Sequence, residues 1–227
     1  MKKIILTSIF LVFGSISANA VDFSNFSLTG GIATNSSVWG AQAKEKEYDE
    51  SGTTFETNTE NGVFAESFSS QFIELGLGSW VSLGYETVSD SISTPTNVSK
   101  DEDNAATKQS VSVDFNDFNT TYVKLNTPWG LYAKYGTVTT DLDIKETTRS
   151  GNVYKNVSTS GTSMGAGYQK YIGDSGFGFR VEGNYVELDS VNTDNGVAAG
   201  GNMNKIEARN LEGLTAKVAL TYTLGRN

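Results

Sequence analysis

Glu74, Glu86, Lys124, Lys134, Arg180, Glu182 and Lys217 each fall on the polar side of a period-two run, joined there by Tyr122 and Gln169. Three acids and four bases from six separate runs can meet only if those runs are strands whose polar faces converge on one interior. A charge left alone in such a low-dielectric space is costly, so the set must pair. Two chemistries suit the pattern. One is a static plug of salt bridges and hydrogen bonds. The other is a narrow gated pore, in which an exchange of ion-pair partners opens a water path. The plug is the plainer reading, and both stay open at this level.

Other chemistry is poorly supported. The sequence has no histidine and no cysteine. This takes away the usual zinc and copper ligands, the commonest general base and disulfide staples. The acidic run Asp101–Asn104 lacks the spacing of an EF-hand loop and reads as a solvated loop. The glycines of GVAAGGN, residues 196 to 202, precede no helix, so a nucleotide loop is not indicated. Asp189-Ser190 reads as a turn. No catalytic residues, metal or cofactor are expected. Net charge is −9, which argues against nucleic acid as a partner.

The elements that must position the seven charges are strands. In GFGFRVEGNYVELD, residues 176 to 189, Phe177, Phe179, Val181 and Tyr185 alternate with Arg180, Glu182 and Asn184. Similar runs begin at FSLTGGIAT, near residues 26 to 43, and recur in QFIELGLG, WVSLGYETV, SVSVDFNDFNTTYVKLN, GLYAKYGTVTTDLDI, SMGAGYQKYI and LTAKVALTYTL. Helical spacing is absent, so the reading is eight strands. In the fourth, Val111, Val113, Phe115, Thr121, Val123 and Leu125 are assigned to one face. Short connections at Gly78-Ser79, Asn126 to Gly130 and Gly173 to Gly176 alternate with longer polar segments at 44–61, 89–109, 147–152 and 189–210. A hairpin hidden in the first or second long segment would raise the count to ten.

Alternation does not say which face is inside. A soluble barrel turns its charges to water, whereas a membrane barrel turns its apolar face to lipid. Three signals favour the membrane. The first is the start of the chain: Lys2-Lys3, an apolar run from Ile4 to Phe13, then Ala18-Asn19-Ala20. That is the pattern of a secretory signal peptide over residues 1–20, with the mature domain at 21–227. Without Lys2 and Lys3 the balance becomes 15 basic to 26 acidic residues. The second signal is the alternation of short and long connections, which matches periplasmic turns and outer loops. The third is aromatic clustering at the short turns, with Trp80, Trp129, Tyr171, Phe177 and Tyr222 placed as an interface girdle. The five alternate positions from Phe177 to Tyr185 cover nine residues, close to the 9–11 of a tilted spanning strand. The segment carrying Glu45, Glu47, Asp49, Glu50, Glu56 and Glu60 reads as a solvated acidic outer loop that could contact cations or a surface partner.

These features together resemble the eight-stranded outer-membrane barrels of the OmpA transmembrane domain, OmpX and Opa group. The resemblance implies an all-β, antiparallel, up-and-down transmembrane β-barrel in the bacterial outer membrane, surrounded by lipid and inserted by the barrel assembly machinery. It implies a monomer without catalysis, in a structural or surface-interaction role toward an extracellular partner it does not name. It also extends to a lumen ion-pair set, with Glu74, Lys124, Arg180 and Lys217 foremost. Two departures stand out. The family's final strand usually ends in an aromatic residue, while this chain continues from Leu224 through Gly225-Arg226-Asn227. No periplasmic peptidoglycan-binding domain is expected after the eighth strand.

Overall fold

The computed structural model describes residues 25–48, 51–100, 108–147, 153–196 and 203–225. Residues 1–24, and with them the expected signal peptide, lie outside the described residues, as do Asp101–Asn104 and most of GVAAGGN. One antiparallel sheet of eleven strands contains β1 (Phe26–Tyr48), β2 (Thr54–Leu77), β3 (Val81–Val88), β4 (Ile92–Ser93), β5 (Asn97–Lys100), β6 (Lys108–Asn126), β7 (Leu131–Thr147), β8 (Val157–Tyr171), β9 (Phe177–Leu188), β10 (Val191–Asp194) and β11 (Met203–Leu224). Eight of them pair in the order β1-β2-β3-β6-β7-β8-β9-β11, and β11 returns to β1. Strands β4 and β5 pair with β6 above the end of β3, and β10 pairs with β11 above the end of β9. No described helix is long and apolar enough to cross a membrane.

Ladder partners fix the geometry of closure. Starting at Leu75, they run through Leu83, Val123, Tyr135, Met164, Tyr185, Leu214 and Val38 and return to β2 at Ala65. The return point is ten residues from the start, and this offset is the shear of the barrel. Eight strands with that stagger tilt by about 40° and enclose a space that side chains can fill. The short turns use Gly78 (φ 64°) and Gly130 (φ 88°), in a backbone region that glycine enters without steric cost.

Long wall strands such as β9 and β7 change character partway along. In β9 the buried set runs Arg180, Glu182, Asn184 and then Val186, Leu188. Its other face runs Phe177, Phe179, Val181, Tyr185 and then the exposed Glu187. Strand β7 repeats this, with Tyr132 and Lys134 and then Val138 and Leu142 inside, and Leu131 and Tyr135 and then Thr139 and Asp141 outside. Near the short turns the outer surface is apolar and the interior charged, as lipid demands. Beyond Tyr85, Tyr135 and Tyr185 the outer surface is polar and the interior apolar, as water demands. Those three tyrosines mark an upper aromatic border opposite the lower one at Trp80, Trp129 and Phe177; the sequence reading placed only the lower one.

Three sequence expectations are corrected. Segments 44–61 and 189–210 are largely strand, not loop. Strands β1 and β2 continue as a hairpin to Tyr48 and Thr54, and residues 203–210 are the upper part of β11. Pairing of β1 with both β2 and β11 continues beyond the lipid, so the hairpin lengthens existing strands and the barrel count stays at eight. Val111, Val113 and Phe115, assigned with Val123, instead fall on the inward parity: Phe115 is buried and Val113 packs against the same apolar cluster. Between Asn116 and Asn119 β6 carries one extra residue relative to β7, with Asp117 at φ 52°. That bulge flips the parity of everything above it.

The belt makes a testable statement. Val218→Lys, on the lipid face of β11, is expected to lower unfolding free energy by about 2–4 kcal/mol. Ser158→Lys, above the belt, should change it by under about 0.5 kcal/mol. Urea titration of the protein in lipid vesicles measures both.

Candidate functional site

The interior is built by alternation: each strand sends every second side chain inward. The structure places Glu74 (β2), Glu86 (β3), Lys124 (β6), Lys134 (β7), Arg180 and Glu182 (β9) and Lys217 (β11) inside, all buried. They form two linked groups. In the first, Arg180 donates from Nη1 and Nη2 to the two oxygens of Glu74 at 2.8 and 2.7 Å. Lys124 Nζ lies 2.5 Å from Glu74 Oε2, and Tyr122 donates its hydroxyl to Glu74 Oε1 at 2.8 Å. Gln169 Oε1 accepts from Arg180 Nη2 at 2.7 Å.

In the second group two lysines join two carboxylates. Lys217 lies 2.6 Å from Glu86 and 2.9 Å from Glu182. Lys134 lies 3.3 Å from Glu86 and 2.6 Å from Glu182. Ser70 donates to Glu86 at 2.8 Å, Tyr132 to Glu182 at 2.6 Å and Asn184 to Glu182 at 2.7 Å. The two groups share aromatic rings. Tyr132 bonds Glu182 while its ring carries Arg180 at 5.1 Å and Lys124 at 5.2 Å. Tyr122 bonds Glu74 while its ring carries Lys134 at 4.7 Å. Phe72 takes the other contact of Arg180, at 4.5 Å. Desolvated cations over ring faces gain energy there that water would otherwise supply.

Phe72, Ser70, Tyr132 and Asn184 belong to this network but are not among the seven charges read from the sequence. A signal for two of them exists. A side chain at Gly31 would strike the Phe72 ring, and one at Gly167 would strike Tyr132. Inward glycines beside inward aromatics on the neighbouring strand are seats for rings that cross the lumen.

Above the charges lies a second filling that the sequence reading did not foresee. Trp39, Ile92, Phe115, Phe118, Val138, Leu142, Val186, Leu188 and Leu211 form one buried apolar cluster. Trp39 reaches from β1 across to β6, with ring centroids 5.9 Å from Phe115 and 5.8 Å from Phe118. It donates Nε1–H to Ser37 at 2.9 Å, which satisfies its polar end. The outer hairpins carry acids in separate settings. Glu45 accepts from Tyr154 and Asn204, each at 3.0 Å. Lys145 bonds Asp114 and holds its carboxyl below the ordinary aspartate value. Asp189 accepts from Ser160 at 2.7 Å; Asp189-Ser190, expected as a turn, is instead a short break between β9 and β10, which run on along β11. Among the described residues no group of histidine, cysteine or carboxylates could hold a metal ion.

The charge count predicts an asymmetry. Glu74→Gln leaves Arg180 and Lys124 buried without their acid and should cost about 3–5 kcal/mol. Arg180→Met leaves the neutral Lys124–Glu74 pair and should cost clearly less. Urea unfolding in micelles ranks the two.

No protein-family model matches the sequence, and no curated protein matches it. Solved structures do. The outer membrane protein OprG from Pseudomonas aeruginosa superposes with a TM-score of 0.50 at 9% identity, over 84% of this chain and 95% of that one. Outer membrane protease OmpT from Escherichia coli gives 0.42 at 14% identity, over 92% and 100%. Ail of Yersinia pestis, in complex with the heparin analogue sucrose octasulfate, gives 0.41 at 11%, over 84% and 99%. At these identities the likeness concerns the fold: the chain is an eight-stranded antiparallel β-barrel of the bacterial outer-membrane type.

Proposed function

We propose that this protein is a closed, non-catalytic outer-membrane barrel with a structural or surface-interaction role, its first 20 residues serving as the export signal. It acts as a monomer in the lipid and enters it through the barrel assembly machinery. The observation that carries this reading is the double filling of the lumen. The linked carboxylates, cations and tyrosines occupy the lower half, drawn from β2, β3, β6, β7, β8, β9 and β11. The apolar cluster around Trp39 occupies the upper half. A continuous water path would have to break buried ion pairs below and open a dry apolar contact above, and both steps are costly. What then remains for function is the polar surface that the long hairpins raise above the belt.

A second reading, a small pore for ions or small solutes, has one observation in its favour. Gln169 Nε2, Arg180 Nε and Thr221 Oγ1 are buried without a hydrogen-bond partner among the described residues. Groups of this kind are ordinarily met by water, and the lumen set carries four cations against three carboxylates.

Planar-bilayer conductance of the refolded chain from residue 21 separates the two. The closed barrel gives folded, inserted protein and a flat current trace. Discrete steps that scale with salt, altered by Lys134→Ala or Glu74→Ala, would replace it with the pore.

A further inference from the structure

We propose that the free edge of β2, from Thr59 to Ser67, is a docking site at which an extended cationic peptide adds a strand to the barrel wall. The proposal rests on the surface-interaction reading and names its partner.

Among the described residues the wall is open at this edge. Strand β3 pairs with β2 only from Ser70 to Leu77, and the last main-chain bond across is Ser89 N to Ser69 O, at 2.9 Å. Beyond it the chain turns over β6, where Ile92 is fully buried in the apolar cluster and β4 and β5 pair with β6 rather than β2. Among the described residues, β2 from Thr54 to Phe68 therefore pairs with β1 alone.

The direction of the main-chain groups follows from three bonds. Phe68 O accepts from Asn35 Nδ2 at 3.3 Å and Glu66 O from Ser37 Oγ at 2.9 Å, both on the β1 side. Ser69 O faces β3. In an antiparallel strand the N–H and C=O of one residue point to the same edge, and successive residues alternate. The odd residues Thr59, Asn61, Val63, Ala65 and Ser67 thus offer their N–H and C=O to the open side. Ser67 is ten residues above Leu77, about 24 Å along the barrel axis at the strand rise and tilt. The edge therefore starts where a belt of about 25 Å ends, in reach of water and not of lipid.

Charge selects the occupant. The even residues beside this edge are Glu60, Gly62, Phe64, Glu66 and Phe68. A second copy pairing antiparallel about Val63 would set Glu60 opposite Glu66 twice over, and like charges directly opposite destabilise a pair. A peptide with lysine or arginine opposite Glu60 and Glu66 and an apolar residue opposite Phe64 turns both terms favourable. Asn97 Nδ2 reaches Glu60 Oε2 at 3.1 Å across the opening and would exchange that bond for the incoming cation. Main-chain bonds supply affinity and the two acids supply selectivity, as in other strand-addition sites.

Amide exchange of the full refolded protein in lipid nanodiscs tests this. The probe is a threonine-rich decapeptide with lysine at its second and eighth positions and valine at its fourth. A glutamate-for-lysine peptide is the control. Without peptide, the amides of Asn61, Val63, Ala65 and Ser67 should exchange freely while those of Gly62 and Phe64 are protected. The lysine peptide should slow the first set by about ten-fold or more, and the glutamate peptide should not. Ala65→Pro removes a donor only from the open edge, where proline is tolerated, so it should keep the barrel folded and abolish the slowing at Val63 and Ser67. The proposal is overturned if the odd amides are already protected without peptide, if the lysine peptide leaves them fast, or if both peptides act alike. Slowing that grows with protein concentration alone would assign the edge to a second copy and overturn it as well. Conductance of the same sample keeps the two readings apart. A silent barrel with an unslowed edge loses only the docking site, whereas current steps remove the closed lumen.

Discussion

The closing ladder between β1 and β11 is the constraint from which the rest follows. A sheet in lipid cannot leave an edge, because unpaired N–H and C=O groups in hydrocarbon cost several kcal/mol each. Twenty register positions, from Leu28↔Leu224 to Tyr48↔Met203, seal that seam. Once eight strands close with an offset of ten residues, the radius is set and the lumen is narrow. Every inward side chain must then be packed against, or bonded to, one from across the barrel.

The seven lumen charges answer that requirement. None of them faces a bulk-like space, so each is held by two or more partners, and the tyrosines serve twice, as hydrogen-bond donors to carboxylates and as ring faces for cations. The inward glycines are part of the same solution. Gly84 clears the path of Tyr122, Gly167 that of the Tyr132 hydroxyl and Gly213 that of Trp39. A narrow barrel reconciles large rings with small residues on the adjoining strand, and that pairing keeps the interior close to the packing density of a soluble core.

Above the belt the same strands obey the opposite rule. The exterior there meets water, so the inside becomes apolar and Trp39, Phe115 and Phe118 pack across it. The same strands thus enclose two different interiors. Where β3 ends and the chain dives over β6, the wall is left open along β2, on the side of the molecule that faces away from lipid.

Much of this was legible in the residues themselves. Alternation in β9 and β11 fixed which side chains share a face, because a strand has a period of two. Placing the aromatic face in lipid then located Glu74, Lys124, Arg180 and the other charges inside. The parity error over Val111, Val113 and Phe115 arose because a bulge adds one residue without any strong sequence mark; Asp117 is its trace. The polar hairpins at 44–61 and 203–210 looked like loops because neither face touches lipid there, so their residues lack the apolar alternation that marks a spanning strand. What only the tertiary structure decided was which charge meets which, and that the upper lumen is apolar. Pairing depends on shear and on which strands face each other across the barrel, and these are properties of closure. The sequence of any one strand holds the alternation, while the partners of Glu74 come from β6 and β9, brought within reach only when the sheet has curled back to meet itself.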